Sequence, residues 1–261
     1  MNVDLDLLVF TDLDGTLIDH ETYSWGPATQ ALDALKQLSA GVVLASSKTS
    51  AEMSPLRTEL GLQAWPAIVE NGAGILPAHT SEAVGDARYS ELLAVLDNAP
   101  TELRSLFCGF GQASAAQVAD MTGLSLKAAA LAKKRAFSEP GQWLGDDAQK
   151  AAFTTWLKGH GVQAQQGGRF LTLSFGGNKV EQMREIIKTY APQHTIALGD
   201  APNDMQMLEH AEFGVVVHNP HRPPLPTLMQ EAEGRVLRTE ASGPTGWNTA
   251  ILTLLHRLDL N

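Results

Sequence analysis

Short apolar runs that empty into turn residues recur along this chain, separated by longer segments of helical periodicity. The runs are LLVF (7–10), VVLA (42–45), AIV (67–69), IAL (196–198) and GVVV (214–217). Such runs suit strands that are buried on both faces. Between them, PATQALDALKQL (27–38) sets Ala28, Leu32, Leu35 and Leu38 on one helical face, with Pro27 suited to a helix start. SAEMSPLRTEL (50–60) reads as a second helix in spite of Pro55. Buried strands alternating with helices predict parallel βαβ units, and hence an α/β fold with a doubly wound parallel sheet.

The alternation lapses after about residue 78 and resumes after GGNK (176–179). Within the interval, AAQVADMTGLSLKAAALAKKR (115–135) reads as two helical pieces divided at Gly123. RAFSE (135–139) and RFLTLS (169–174) read as strands, and DAQKAAFTTWLKGHG (147–161) as a helix ending at glycine. The expected layout is therefore a core domain split into residues 1–78 and 177–261, with a smaller α+β domain inserted at 79–176. The proline-rich NPHRPPLP (219–226) is expected to be a surface loop.

Composition excludes several classes of partner. With 44% hydrophobic and 18% charged residues, the chain can bury a core and is not globally disordered. A formal net charge of -10 argues against nucleic acid or an anionic membrane as the main partner. A phosphorylated small molecule stays open, provided that local cations or a metal receive it. The single cysteine, Cys108, cannot form an internal disulfide and fits a reducing compartment. The acidic start MNVDLD lacks the basic region of a signal peptide, and no run reaches the roughly 18 apolar residues of a membrane span. A soluble cytoplasmic protein is the expectation; oligomeric state is left open. The histidines show no metal-ligand spacing, the dispersed tryptophans read as packing residues, and AKKR (132–135) is too short a basic run for nucleic acid.

The chemistry is concentrated where strands end. LLVFTDLDGTLIDH (7–20) runs from apolar residues straight into Asp12 and Asp14. In open α/β sheets, ligands collect beyond the carboxyl ends of the strands. One carboxylate could bind metal and attack, while the second moves a proton. The plainer reading is an Asp-Gly turn or a helix cap. A second apolar strand in IALGDAPNDMQML (196–208) empties into Asp200 and Asp204, with Asn203 between them. Two such strands converging make turn chemistry an insufficient account. Oxygen donors without a matching His or Cys set point to magnesium rather than zinc. The second strand ends in ASSKT (45–49), which supplies Ser46, Ser47 and Lys48, and Lys179 opens the segment KVEQMREIIKTY. Hydroxyls and ammonium groups could hold phosphate oxygens and offset charge during transfer.

DLDGT, Ser46 with its SK continuation, Lys179 and GDAPND occur in the order and context of the four motifs of the haloacid dehalogenase superfamily of phosphohydrolases, which the chain resembles. SSKT (46–49), VENGA (69–73), MTGLS (121–125), RAFSEP (135–140), GGRF (167–170) and GPTGW (243–247) further resemble the mannosyl-3-phosphoglycerate phosphatases. The chain departs from them at Val180, where glycine is usual, and near Thr172, where a histidine is expected.

The resemblance implies a core domain with an inserted α+β cap. Asp12 would attack phosphorus to form an aspartyl-phosphate, and Asp14 would protonate the leaving oxygen and then activate water. Mg2+ would be held by Asp12, the backbone carbonyl of Asp14, and Asp200, with Asn203 or Asp204 supporting. Ser46 and Lys179 would bind the phosphoryl oxygens, with Ser47, Lys48 and Thr49 bordering the pocket. Arg135 and Arg169 would meet the substrate carboxylate, since a guanidinium recognises it in two-point fashion. Glu139 and Asn71 would meet sugar hydroxyls, and Asn219, just past GVVV, would face the site. The expected activity is hydrolysis of mannosyl-3-phosphoglycerate. Alternatives are a glucosyl-3-phosphoglycerate phosphatase, a broader sugar-phosphate phosphatase, a phosphosugar mutase, and a non-catalytic phosphosugar sensor.

Overall fold

The computed structural model describes residues 5–83 and 86–260. Its strands in chain order are β1 (Leu7–Thr11), β2 (Gly41–Ala45), β3 (Ala67–Val69), β4 (Gly74–Leu76), β5 (Phe107–Gly109), β6 (Ser138–Trp143), β7 (Gln163–Gly167), β8 (Phe170–Ser174), β9 (His194–Gly199), β10 (Phe213–His218) and β11 (Val236–Ser242). The chain divides into two units. The first comprises residues 1–46, 64–68 and 178–261, and the second residues 47–63 and 69–177.

The fold is mixed α/β, and the strands of the first unit run β11-β10-β9-β1-β2-β3 with parallel pairing throughout. Every residue of β1 and β2 is buried, as their uninterrupted apolar runs require. Val9 is opposite Val42 on one side and Ile196 on the other, which places β1 at the centre. The chain winds outward from β1 to β2 and β3, then returns to fill the other flank with β9, β10 and β11. The strand order therefore reverses at β1, and the crevice beyond its carboxyl end is the expected ligand position. In the first helical segment, a 3-10 turn at Gly26–Ala28 precedes helix Thr29–Gln37. That segment buries Ala28, Ala31 and Leu35, leaving Leu32 and Leu38 only half-buried. The last helix, Gly243–Arg257, sinks Trp247, Ile251 and Leu254 completely.

The second unit holds an antiparallel sheet in the order β5-β6-β8-β7. Leu92, Leu96, Phe107, Phe153, Leu157, Leu171 and Leu173 form its core, with Trp143 stacked on Phe153 at 5.0 Å. Helices Ala115–Thr122 and Leu126–Ala132 flank Gly123, whose φ of +80° ends the first of them as expected. Strand β6 begins at Ser138 rather than at Arg135, because the amides of Ala136 and Phe137 bond the Glu70 carboxylate instead of a neighbouring strand. Helix Ser50–Glu59 forms despite Pro55, helped by a capping box between Thr49 and Glu52. No helix among the described residues is long and apolar enough to cross a membrane.

Candidate active site

Asp12 follows β1, and its own amide donates to the carbonyl of Leu198 on β9 at 2.9 Å, so its backbone continues the sheet. The Thr11 hydroxyl donates to the Asp12 carbonyl at 2.7 Å and accepts the buried Trp247 Nε1–H at 3.0 Å. The last helix thus fixes the peptide on which Asp12 sits. Asp14 lies half-buried in the turn that follows, bridged to Ile18. Between the two carboxylate-bearing segments, Gly15 adopts φ +86°. A Cβ there would lie 2.5 Å from Asn219 Nδ2 and 3.2 Å from Asp200 Oδ2, so both the conformation and the space demand glycine.

Lys179 joins the cluster from the start of helix Lys179–Tyr190. A cation in the first turn opposes the helix dipole, so helix propensity does not account for it. Its ammonium instead donates to Asp12 Oδ1 at 2.5 Å and Asp204 Oδ1 at 2.7 Å, with all three residues buried. Asp204 Oδ2 accepts the amides of Asp200 and Ala201 at 3.2 and 3.0 Å, which holds the β9 turn closed. Asp200 Oδ1 accepts the Thr16 hydroxyl at 3.0 Å, and its Oδ2 accepts the Asn219 amide at 2.7 Å. Arg222 Nε also approaches Asp200 Oδ2, at 3.6 Å. No described group hydrogen-bonds to Asp12 Oδ2.

The electrostatics follow from these counts of charge. The Asp12 carboxyl is pushed up to about 8, with burial and the neighbouring Asp204 and Asp200 raising it and Lys179 pulling it down. Burial alone would lower Lys179, but Asp12 and Asp204 beside it raise it above its ordinary value. Asp12, Asp200 and Asp204 each offer a carboxylate oxygen within 4.8 Å of the others. Buried hard oxygens in excess of the neighbouring cation fit a divalent cation of the magnesium type. Asp12 and Asp200 are the direct candidates, since Asp204 is already paired with the Lys179 ammonium and closes the turn, whereas each Asp200 oxygen accepts one hydrogen bond from a neutral donor and keeps a lone pair.

The structure therefore brings together Asp12, Asp200, Asp204, Lys179 and Asn219. Ser46 lies buried at the end of β2 in the same unit, its amide donating to Ile68 at 3.0 Å. Asn203 is exposed on the Pro202–Asp204 turn. In the second unit, Ser47 is exposed, Lys48 half-buried and Thr49 buried, the Thr49 hydroxyl capping its helix and approaching the Leu131 carbonyl at 3.0 Å. Asn71 is half-buried with φ +59°. Glu139 is buried and accepts the Tyr89 hydroxyl at 2.8 Å and the Gly111 amide at 2.7 Å; burial raises its pKa, and those bonds counter the rise. Both of its oxygens are engaged within the unit. Arg135 is tied to Glu70, Ser138 and the Ser47 carbonyl. Arg169 is exposed, donating to the Thr122 carbonyl at 3.1 Å and lying 5.8 Å from the Phe170 ring centre.

Sequence reasoning did not single out Thr16, Thr11, Trp247, Arg222 or Glu70. DLDGT contains Thr16 and GPTGW contains Trp247, so the motifs were visible while the partners were not.

Residues 9–94 and 146–223 match the family model of haloacid dehalogenase-like hydrolases. Among solved structures, the sucrose-phosphatase from Synechocystis sp. PCC6803, in complex with sucrose and phosphate, is 18% identical with a TM-score of 0.62, covering 98% of each chain. A haloacid dehalogenase-like hydrolase from Bacteroides thetaiotaomicron is 17% identical with a TM-score of 0.65, over 96% of this chain and 100% of that one. A subclass IIB sugar phosphatase is 17% identical with a TM-score of 0.62, over 97% and 99%.

Proposed function

The chain belongs to the haloacid dehalogenase-like hydrolases, and we propose that it is a magnesium-dependent phosphatase acting on mannosyl-3-phosphoglycerate. The observation that carries the phosphatase reading is the buried cluster of Asp12, Asp200 and Asp204, with Lys179 bonded to Asp12 and Asp204, at the carboxyl ends of the central strands β1 and β9. The substrate rests on the motif resemblances SSKT, VENGA, RAFSEP, GGRF and GPTGW.

Asp12, through a carboxylate oxygen, would attack phosphorus as the bond to the glycerate oxygen breaks, leaving an aspartyl-phosphate. Asp14 would give its proton to that leaving oxygen and later take one from the water that cleaves the intermediate. Lys179 neutralises Asp12 and would meet a phosphoryl oxygen, and Ser46 would donate to another. A divalent cation held by Asp12 and Asp200 would supply further neutralisation of phosphoryl charge. Asn219 and Thr16 orient Asp200 for that purpose. In the second unit, Arg169 carries the more exposed guanidinium and is the candidate for the glycerate carboxylate. A broader sugar-phosphate phosphatase is the second reading, favoured by the likeness to the sucrose-phosphatase and the subclass IIB sugar phosphatase.

The test is phosphate release by the purified protein with magnesium and after chelation. The panel is mannosyl-3-phosphoglycerate, glucosyl-3-phosphoglycerate, 3-phosphoglycerate, mannose-6-phosphate and sucrose-6-phosphate. The mannosyl compound is expected to lead by kcat/KM, with activity lost on chelation. Equal rates across the panel would replace the narrow substrate by the broad one, and no release from any would favour a sensor.

Trp247→Phe tests how far the last helix matters to this chemistry. Phenylalanine retains much of the packing but removes the N–H bonded to Thr11. A kcat lower by about tenfold with KM little changed is expected, the size of one lost positioning hydrogen bond. Steady-state kinetics alongside thermal unfolding checks it; an unchanged kcat would show that Thr11 holds Asp12 unaided.

A further inference from the structure

Glu70 is almost fully buried, and its carboxylate is among the most heavily bonded in the second unit. Oε1 accepts the Ala136 amide at 2.8 Å. Oε2 accepts the Phe137 and Ser138 amides at 3.2 and 2.8 Å and the Ser138 hydroxyl at 2.7 Å. Three successive amides aimed at one carboxylate form an anion-binding nest that the chain fills itself. Arg135 Nε completes it at 3.2 Å.

The same two residues reach the loop that follows Ser46. Arg135 Nη1 donates to the Ser47 carbonyl at 3.3 Å, while Nη2 donates to Ser138 Oγ at 2.7 Å. The Glu70 amide donates to the Lys48 carbonyl at 3.0 Å. The backbone of Glu70 and Asn71 is held at φ +52° and +59°, where neither residue gains the freedom of glycine. Two consecutive residues stay in that region only when the surroundings over-determine them. The carboxylate clasp and the Glu70 amide bond to Lys48 hold Glu70 by both its side chain and its backbone.

Resting on the phosphatase reading above, we propose that Glu70 and Arg135 are positioning residues for the reaction. They fix the Ser47–Lys48 backbone, next in the chain to Ser46, and the left-handed Asn71, and Arg135 does not read the substrate carboxylate. Each of the three guanidinium nitrogens of Arg135 has a partner within its own unit, and its side chain is only 6% exposed.

The experiment compares Arg135→Ala, Arg135→Lys and Glu70→Gln with the parent chain. Each is assayed on mannosyl-3-phosphoglycerate, on mannose-6-phosphate, which lacks a carboxylate, and on p-nitrophenyl phosphate. Rates are expressed per folded molecule from thermal unfolding curves. Positioning predicts that Arg135→Ala lowers kcat by about tenfold on every ester the parent cleaves, with KM within twofold, a loss of the size that misplacing a reacting group produces. Added guanidinium should restore part of the rate on all of them. Glu70→Gln should show the same pattern, and the double variant should be no worse than the weaker single. A rise in KM confined to the carboxylated ester would make Arg135 a substrate contact and overturn the proposal. Unchanged kcat per folded molecule with a lower unfolding midpoint would overturn it too, leaving only a structural clasp. If the parent cleaves none of the esters, the phosphatase reading fails. Hydrogen exchange then judges the clasp: Glu70→Gln should deprotect the amides of 136–138 and 70 together, and protection unchanged from the parent would dismiss it.

Discussion

Asp12→Asn is expected to lower phosphate release by at least about a thousandfold, and to raise the unfolding midpoint of the metal-free protein at neutral pH. The first effect follows from losing the carboxylate that would attack phosphorus, whose Oδ2 accepts no hydrogen bond among the described residues. The second follows from burial. Asp12 has its pKa pushed from 3.8 to about 8 by burial, relieved by Lys179 and reinforced by Asp204 and Asp200. The folded chain therefore holds a proton that the unfolded chain has released. Stability from this group is full below pH 3.8 and falls as pH rises towards 8. Asparagine stays neutral throughout and removes that loss, so the variant should gain about 3 °C or more at pH 8 and little at pH 4. Thermal unfolding across that range, in the presence of chelator, measures it. Magnesium should stabilise the parent more than the variant, because binding draws on the ionised Asp12. A variant that unfolds earlier than the parent at pH 8 would mean that the Lys179 contact outweighs burial.

What the sequence disclosed follows the range of the interactions involved. Asp12 and Asp200 were legible as candidates because each directly follows a buried apolar strand, and a polar group at that position needs a local cause. The parallel sheet was legible for the same reason: β1, β2 and β10 carry unbroken apolar runs. Strand β7, QAQQG, escaped because it is an exposed edge with hardly an apolar residue in it. The partners of the site residues escaped because they are remote in sequence. Lys179 meets Asp12 across 167 positions, and Trp247 meets Thr11 across 236. No periodicity carries such a pairing. Arg135 was singled out for its guanidinium, yet its use depends on Glu70, 65 positions earlier by number, and a lone glutamate in VENGA shows no sign of burial. Thr16 is the instructive middle case, since it sits in the motif itself and only the folded turn aims its hydroxyl at Asp200.

Lys179→Met should act on stability in the opposite direction from Asp12→Asn, although both change the same cluster. One ammonium lies against Asp12 at 2.5 Å and Asp204 at 2.7 Å, with Asp200 close by. Methionine matches the stem but leaves Asp204, the buried carboxylate that Lys179 meets at 2.7 Å, without its cation. Removing one partner of a buried pair costs about 3–5 kcal/mol because the other charge stays buried. An unfolding midpoint lower by about 6 °C or more is therefore expected without metal. The raised pKa of Lys179 means its contribution is complete below pH 10.5 and lost only above it, so the deficit should span the whole neutral range. Magnesium should recover part of the midpoint, since a divalent cation among Asp12 and Asp200 replaces some of the missing charge. It should not recover turnover, expected to fall by about a hundredfold to a thousandfold, because no group then stands where Lys179 would meet the phosphoryl oxygens. Thermal unfolding with and without magnesium, beside kcat on the best ester, separates the two roles. If magnesium restored both, Lys179 would only balance the charge of the carboxylates and take no part in transfer.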